Sequence, residues 1–135
     1  MGIDNVKPVK IGPYMLNTRY LKNVSCMGLV SCYALDSQHP AVQWYDEVTN
    51  EPQLRATVYI QLLLSGNECI IKDYSENFGI ADCMIRLGLI EPSYREVQAD
   101  WVTVGVHKMK GELLQAWQKF NRVNYKELLN AHPVR

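Results

Sequence analysis

Residues 54–89 read LRATVYIQLLLSGNECIIKDYSENFGIADCMIRLGL and hold the strongest local patterns in the chain. Leu54 to Leu64 is rich in strand-forming residues, and a second such run extends from Glu68 to Tyr74. Ser65-Gly66-Asn67 between them predicts a hairpin turn. Apolar residues then recur with helical spacing at positions 80, 83, 84 and 87. The unit is therefore predicted to be two strands and a helix that pack their apolar faces together, with Gly88 ending the helix in the left-handed conformation.

The chain before this unit is predicted to contain a strand and a helix. Residues 1–13 carry two prolines and predict an irregular lead-in or an edge segment. Val24 to Leu35 is rich in apolar and β-branched residues, which favours a buried strand. Pro40 suits the first position of a helix, and the apolar stripe that follows includes Ala41, Tyr45, Val48 and, beside them, Trp44.

The chain after the unit is predicted to form one more strand and a long helix. Trp101 to Val106 alternates weakly and predicts the strand. Gly111 to Leu129 has helical periodicity and is expected to break into two helices near residues 121–124. Asn124, with Glu127 three residues later, resembles a capping box at that break.

These elements predict a small α+β fold with an antiparallel, partly barrel-like sheet, flanking helices and a C-terminal helix. The 135 residues suit a single domain spanning residues 1–135. Residues 101–135 would form a C-terminal strand and helical extension.

The charge is balanced overall but unevenly distributed. The chain has 14 basic and 14 acidic residues, so it has no general attraction to nucleic acid or to an anionic membrane. Little charge repulsion opposes self-association, and the sequence leaves a homodimer open. Residues 51–100 hold 4 basic and 8 acidic residues, whereas residues 101–135 hold 6 basic and 2 acidic ones. This pattern is typical of solvated surfaces, but it also defines a candidate basic face for nucleic acid: Lys108, Lys110, Lys119, Arg122 and Lys126.

The cysteines indicate a reducing compartment. Cys26, Cys32, Cys69 and Cys83 lie among apolar residues and form no Cys-x-x-Cys pair, as expected of buried free thiols. The sequence has no run of 18 or more apolar residues and no secretory signal. We therefore expect an intracellular protein, cytoplasmic or nuclear, without a membrane partner.

The sequence argues against most kinds of chemistry. His39, His107 and His132 are far apart, so no metal site is expected. Cys32 and His39 are close in sequence, but the apolar surroundings of Cys32 predict a core thiol with a raised pKa. No glycine-rich loop that would cradle a phosphate precedes a helix. We therefore expect no catalysis and no cofactor, although a small enzyme of unrecognised type remains an alternative.

The turn after the second strand of the central unit is the candidate binding site. Asp73 and Glu76 could act in acid–base catalysis, but carboxylates in such loops are usually solvated. Tyr74 and Phe78 flank the turn with Asn77 between them, and such aromatics can form a cage for a methylated cation. They could instead cover the edge of the sheet.

Residues 20–92 resemble the staphylococcal-nuclease-like half of extended Tudor domains. The resemblance rests on Leu54-Arg55-Ala56-Thr57-Val58, on Ile70-Ile71-Lys72-Asp73-Tyr74, and on a helix that ends Arg86-Leu87-Gly88-Leu89. Asp73-Tyr74-Ser75-Glu76-Asn77 is also similar to the Asp-Tyr-Gly-Asn region of the Tudor barrel. Here Ser75 replaces the glycine and Glu76 is an extra residue, and the sequence does not supply a full set of four cage aromatics.

The resemblance implies an oligonucleotide-binding-type (OB) barrel that acts as a non-catalytic protein-binding scaffold in germline small-RNA (piRNA-type) or ribonucleoprotein assemblies. The acidic and arginine residues with which the family's nuclease relatives cut have no counterpart in this sequence. A protein or peptide partner is therefore the leading expectation. A nucleic-acid-binding barrel that uses the basic C-terminal helix is the alternative.

Overall fold

The computed structural model describes residues 5–131, apart from the side chain of Ala131. In this part of the chain the order of elements is β1 (Val9–Leu16), β2 (Val24–Cys32), β3 (Pro40–Asp46), β4 (Pro52–Arg55), β5 (Glu68–Ile71), α1 (Ile80–Arg86), β6 (Arg95–Ala99), β7 (Val102–Lys108), α2 (Gly111–Val123) and α3 (Tyr125–Ala131). The fold is α+β, as predicted.

The strands form two antiparallel sheets. The first has the order β1-β2-β3-β4, and the second has the order β5-β7-β6. Residues 56–58 connect them, because the Lys72 amide donates to the Ala56 carbonyl (2.8 Å) and the Val58 amide donates to the Ile70 carbonyl (3.2 Å). The outer strands β1 and β6 do not pair with each other, so the described strands form no closed barrel.

The helix predicted after Pro40 is wrong, because these residues form strand β3. Pro40, Val42 and Trp44 are buried, while Ala41 and Gln43 between them are only partly buried. This alternation has the period of two that a strand requires. The apolar residues of this segment also fit the spacing of a helical stripe. The strand is selected because the segment pairs with both β2 and β4.

The strand predicted over Leu54 to Leu64, and the hairpin after it, are also wrong. Strand β4 ends at Arg55, and β5 pairs with β7 rather than with the preceding segment. The irregular segment 58–64 instead covers one face of the second sheet with Val58, Ile60, Leu62 and Leu64. Its position is secured by the buried His39, whose Nε2 lies 2.6 Å from the Leu62 carbonyl oxygen. A segment rich in strand formers thus packs as a cover instead of pairing.

Two further elements differ from the sequence prediction. The lead-in predicted over residues 1–13 contains strand β1 from Val9 onward, and this strand lies at the edge of the first sheet. Residues 1–4 lie outside the described part. Strand β6 was not predicted, because its sequence Arg-Glu-Val-Gln-Ala is mostly polar and suits an outer strand.

The remaining elements confirm their predictions, namely β2, β5, α1, β7 and the division of the last helix. Gly88 has φ +77°, the left-handed end expected for α1. The break between α2 and α3 occurs at Asn124, but its side chain does not form the predicted capping box. Asn124 instead accepts from the Lys7 amide (2.6 Å) and donates to the Lys7 carbonyl (3.0 Å), which attaches the segment before β1 to the helices.

The main core lies where the first sheet meets α1 and α2. It includes Trp44, Met84 and Phe120, all fully buried. All four cysteines are buried free thiols, as predicted. Burial raises the pKa of Cys32 to about 11, with a further contribution from Asp36, which is the direction expected for a thiol in the core.

Candidate functional site

The predicted turn from Asp73 to Phe78 is held by contacts between its side chains and neighbouring parts of the chain. Asp73 Oδ1 accepts from the amides of Gly79 (2.9 Å) and Ala81 (3.1 Å) at the start of α1. The buried Asn77 donates from Nδ2 to the Arg55 carbonyl (2.6 Å). Glu76 forms an ion pair with Lys72 (2.6 Å), and this bond lowers the pKa of the Glu76 carboxyl. Asp73, Glu76 and Asn77 therefore each stabilise the conformation of the turn.

The two aromatic residues of this turn lie in different places. Tyr74 packs against the cover segment 58–64 and lines a groove beside Trp101. Phe78 lines another depression, with Arg19 above its ring at 5.5 Å. Lys72 lies above the Tyr74 ring at 5.5 Å. Each ring thus has a cation of this chain beside it, and the structure does not bring the two rings into one cage.

The five residues of the candidate basic face are exposed but do not form one patch. Lys108 and Lys110 lie at the end of β7 and directly before α2, whereas Lys119 and Arg122 lie in its later turns. At a rise of 1.5 Å per residue, the backbones of Lys110 and Arg122 are about 18 Å apart. Lys119 and Arg122 are neighbours at i and i+3. Lys126 follows in α3.

The hairpin between β6 and β7 presents the most exposed aromatic side chain of the described residues. Trp101 is 93% exposed and occupies the two-residue turn with Asp100, whose φ of +55° suits such a turn. Beside it is a groove of about 420 Å³, which we call the Trp101 groove and which is lined by Val58, Tyr59, Ile60, Tyr74, Ala99, Asp100, Trp101 and Val102. A large exposed aromatic ring beside partly buried apolar side chains is typical of binding surfaces.

Strand β6 has a free edge next to this groove. The two-residue turn closes on the hydrogen-bonded pair Ala99–Val102. Along an antiparallel ladder such pairs alternate with pairs that are not hydrogen-bonded to each other, and Glu96 and Gln98 belong to the second kind. The backbone amides and carbonyls of Glu96 and Gln98 therefore face away from β7. This edge can accept another strand.

The opposite face of the second sheet forms a polar cleft against α1. Alternation along the strands places Glu96, Thr103 and His107 on this face, whereas Val97 and Val104 face the cover segment. Asp73 and Asp82 complete its acidic lining. We call this space, of about 320 Å³, the His107 cleft; its lining also includes Ile71, Ala81, Ile85, Pro92, Ser93 and Gly105.

His107 is the most buried polar side chain in this cleft, with 5% exposure. Its Nδ1 lies 2.8 Å from the carbonyl oxygen of Glu91. Because a carbonyl only accepts, Nδ1 carries the proton, and Nε2 of the neutral ring is left as an acceptor. Within the described residues Nε2 has no hydrogen-bond partner. The imidazole is therefore oriented by one nitrogen and available to a ligand through the other.

We expect His107 to make stability depend on pH. Burial lowers its pKa below the ordinary value of about 6.5, although the Glu91 carbonyl and Asp73 oppose the change. As pH falls through 6.5 the unfolded chain takes up a proton at this site before the folded protein does, so the stabilising contribution is full above pH 6.5 and is lost as pH falls further. Urea denaturation between pH 7.5 and 5 measures this loss.

The matched variant is His107→Asn, whose amide can still donate to Glu91 but does not titrate in this range. Its stability should fall less than that of the wild type between pH 7.5 and 5. Parallel pH curves for the two proteins would contradict a buried neutral His107.

Sequence reasoning did not identify either of these surfaces. Trp101 was assigned to a strand, and the only local signal for its turn is an aspartate before it, which tolerates positive φ. His107 was set aside because no second histidine lies near it in sequence. The other polar residues that line the cleft come from the loop after β5, from α1 and from β6, and no regular spacing in the sequence relates them to His107.

Within the described residues, no three His, Cys, Asp or Glu side chains converge to hold a metal ion. None of the helices in that part of the chain combines the length and apolar character needed to cross a membrane. Comparison of the chain with protein-family models, with curated proteins and with solved structures found no match.

Proposed function

We propose that this domain is a non-catalytic protein-interaction module that binds an extended segment of a partner protein along β6. The observation that carries the proposal is the position of Trp101, 93% exposed at the mouth of a groove whose lining combines apolar side chains with polar groups. Tryptophan, tyrosine and arginine are enriched among the few residues that dominate binding energy at interfaces. An apolar side chain of the partner would fill the groove and cover the indole ring.

The free edge of β6 favours an extended segment as the occupant. The outward-facing backbone groups of Glu96 and Gln98 can pair with a partner strand, which is the main-chain mode of peptide recognition by sheet edges. A strand added there would send alternate side chains to the two faces of the sheet. One set would reach the Trp101 groove.

The charges near this edge favour a partner segment that also carries basic residues. Arg95 lies 3.8 Å from Glu68 and donates to the Leu63 carbonyl (3.2 Å), so its charge is engaged within the domain. Glu96 and Asp100 form no ion pair with any residue of the described part. The edge is therefore acidic, and charge complementarity would orient a basic segment.

Peptide display against the wild type and against Trp101→Ala tests the proposal. We expect extended sequences with an apolar anchor to be enriched on the wild type alone. Truncating a central tryptophan typically costs about 2 kcal/mol or more. Calorimetry should therefore show roughly 30-fold weaker binding to the variant. Equal enrichment on both proteins would contradict the role of the groove.

Substitutions at Gln98 test strand addition directly. Gln98→Pro removes an amide that faces solvent and should leave the pairing with β7 intact. We expect it to abolish peptide binding, whereas Gln98→Ala, which loses only the side chain, should bind normally. Full affinity in the proline variant, with an unchanged melting temperature, would rule out strand addition.

A second copy of this chain is another outcome that these experiments distinguish. Light scattering over a range of concentrations would detect a homodimer, and its loss in Gln98→Pro would place the contact at β6.

The role implied by the extended Tudor resemblance, an intracellular scaffold of OB type in germline small-RNA or ribonucleoprotein assemblies, is compatible with the module and remains a prediction. Nucleic-acid binding through the basic residues has less support, since they are divided between the two ends of α2. A flat titration with single-stranded RNA would remove that alternative.

A further inference from the structure

We propose that a second copy of this chain packs against the outer face of the first sheet, so that the protein forms a homodimer. The outer face is the side of strands β1 to β4 that points away from the core. It belongs to a different sheet from β6, so this inference does not depend on the proposed function. Its evidence is the direction of the side chains, their apolar character, and the lack of charge at the centre of the face.

The register of β2 shows which of its side chains lie on the outer face. A Cβ added at Gly28 would lie 2.8 Å from Cγ1 of Ile11 and 3.0 Å from Cζ3 of Trp44, so position 28 points into the core. Met27 and Leu29 on either side of it therefore point the opposite way. Both are only partly buried, and neither packs against a hydrophobic cluster of the described residues.

The neighbouring strands extend this apolar surface. On β3, Tyr45 lies directly opposite Met27 in the ladder, and Ala41 lies opposite Ser31. Tyr45 and Ala41 are partly exposed and also lie outside both clusters. On the edge strand β1, Met15 is 53% exposed. The solvent face of an antiparallel sheet is commonly polar, so this concentration of apolar side chains indicates a contact surface.

The centre of the outer face carries no charge. Lys10 and Arg55 lie on the outer strands β1 and β4, at the rim of the face, where charged groups of an interface stay hydrated. Contact between two such faces therefore avoids the cost of burying a charged group. The residues that the inner strands β2 and β3 place on this face are all uncharged, namely Ser25, Met27, Leu29, Ser31, Ala41, Gln43 and Tyr45.

The charge of the whole chain favours a second copy as the occupant. With 14 basic and 14 acidic residues, two copies approach each other without net repulsion. A two-fold axis through the face would place the apolar stripe of one copy on that of the other, as in an isologous interface. Two sheets that pack face to face lie about 10 Å apart with their side chains interdigitated.

The size of the face predicts a weak, reversible dimer. Strands β1 to β4 contain 8, 9, 7 and 4 residues, and their mean length gives a face of about 24 Å by 19 Å. Two copies would therefore bury about 900 Å², close to the roughly 1,000 Å² that a specific interface requires. We expect monomer and dimer to exchange within the range of concentrations that solution measurements cover.

Sedimentation equilibrium from micromolar to millimolar protein tests this inference. We expect the mean mass of the wild type to rise with concentration towards twice the monomer mass. Leu29→Glu and Leu29→Lys each place like charges near the centre of the interface. Each should weaken self-association roughly a hundredfold, because like-charge contacts at an interface are strongly unfavourable. An equimolar mixture of the two variants should associate again, because opposite charges then meet.

Leu63→Glu is the matched control. It makes the same substitution at a leucine that is 83% exposed and lies in the cover segment 58–64 of the second sheet. It should associate as the wild type does. Met15→Glu is a second interface variant at an exposed edge position, and it should weaken self-association even if Leu29→Glu fails to fold. Circular dichroism establishes which variants are folded.

The inference is overturned if the wild type stays monomeric at millimolar concentration, or if Leu63→Glu weakens association as much as the interface variants do. Folded Leu29→Glu and Leu29→Lys that do not associate when mixed would also overturn it. Gln98→Pro should keep the dimer, and Leu29→Glu should still bind peptide at β6. A dimer that is lost in Gln98→Pro but kept in Leu29→Glu would place the contact at β6 instead and reject the outer face.

Discussion

Replacing Trp44 with alanine is expected to lower the free energy of unfolding by about 3–5 kcal/mol. Trp44 has no exposed surface and lies at the centre of the first sheet, opposite Gly28 on β2 and Leu54 on β4. The ring of Tyr14 meets it edge-on with 6.1 Å between centroids. Truncation would leave a large cavity among strands that already pair on both sides, so the surroundings could collapse only in part. Urea denaturation monitored by circular dichroism measures the change.

Trp101→Ala is the matched control, because it removes the same side chain from a position that is 93% exposed. Its free energy of unfolding should stay within about 0.5 kcal/mol of the wild type. The contrast also establishes that the binding experiments with Trp101→Ala use a folded protein. Similar losses in the two variants would contradict the placement of Trp44 in the core.

Replacing Gly111 with alanine is expected to destabilise the fold by about 2–3 kcal/mol. Gly111 begins α2 with φ +56°, where a side chain is strained. An added Cβ would lie 2.5 Å from the carbonyl oxygen of Gly88, which is backbone and cannot rotate away. The Lys110 amide donates to the Leu89 carbonyl (2.9 Å) at the same contact. The substitution would therefore push the start of α2 away from the end of α1.

Gly66→Ala is the matched control for this prediction. A Cβ at Gly66 would meet no atom within 4 Å. The substitution should leave stability unchanged or raise it by up to about 1 kcal/mol, because alanine restricts the unfolded chain. Thermal and urea denaturation of the two variants under the same conditions measure the difference. Equal stability of Gly111→Ala and Gly66→Ala would show that α1 and α2 do not meet as described.

The elements that sequence patterns predicted well are those whose local and tertiary preferences agree. Helix α1 has apolar residues with helical spacing and a glycine at its end, and the core uses the same residues, Ile80, Cys83 and Met84. The incorrect predictions occurred where one sequence pattern fits two kinds of secondary structure. Residues 41–48 fit both a helical stripe and an alternating strand, and the choice depends on β2 and β4, which lie on either side of β3.

The candidate sites were harder to predict than the fold. The turn from Asp73 to Phe78 was correctly located as a turn after a strand, but its side chains bond to α1, to Lys72 and to Arg55. The Trp101 groove depends on a segment, 58–64, that the sequence predicted to be part of a strand. The Trp101 groove and the His107 cleft are each formed by residues from at least three separate parts of the chain.

The sequence by itself determined an α+β domain, buried thiols, a central unit ending in helix α1 and a divided last helix, because apolar periodicity and glycine placement express these features locally. The central unit from Leu54 to Leu89 is not the hairpin that its composition suggests. Only the tertiary structure decided that β5 pairs with β7, that the preceding segment covers the sheet, and that Trp101 and His107 lie on its two opposite faces. The physical reason is that strand pairing and side-chain convergence depend on distant partners, and local patterns do not specify which partners meet.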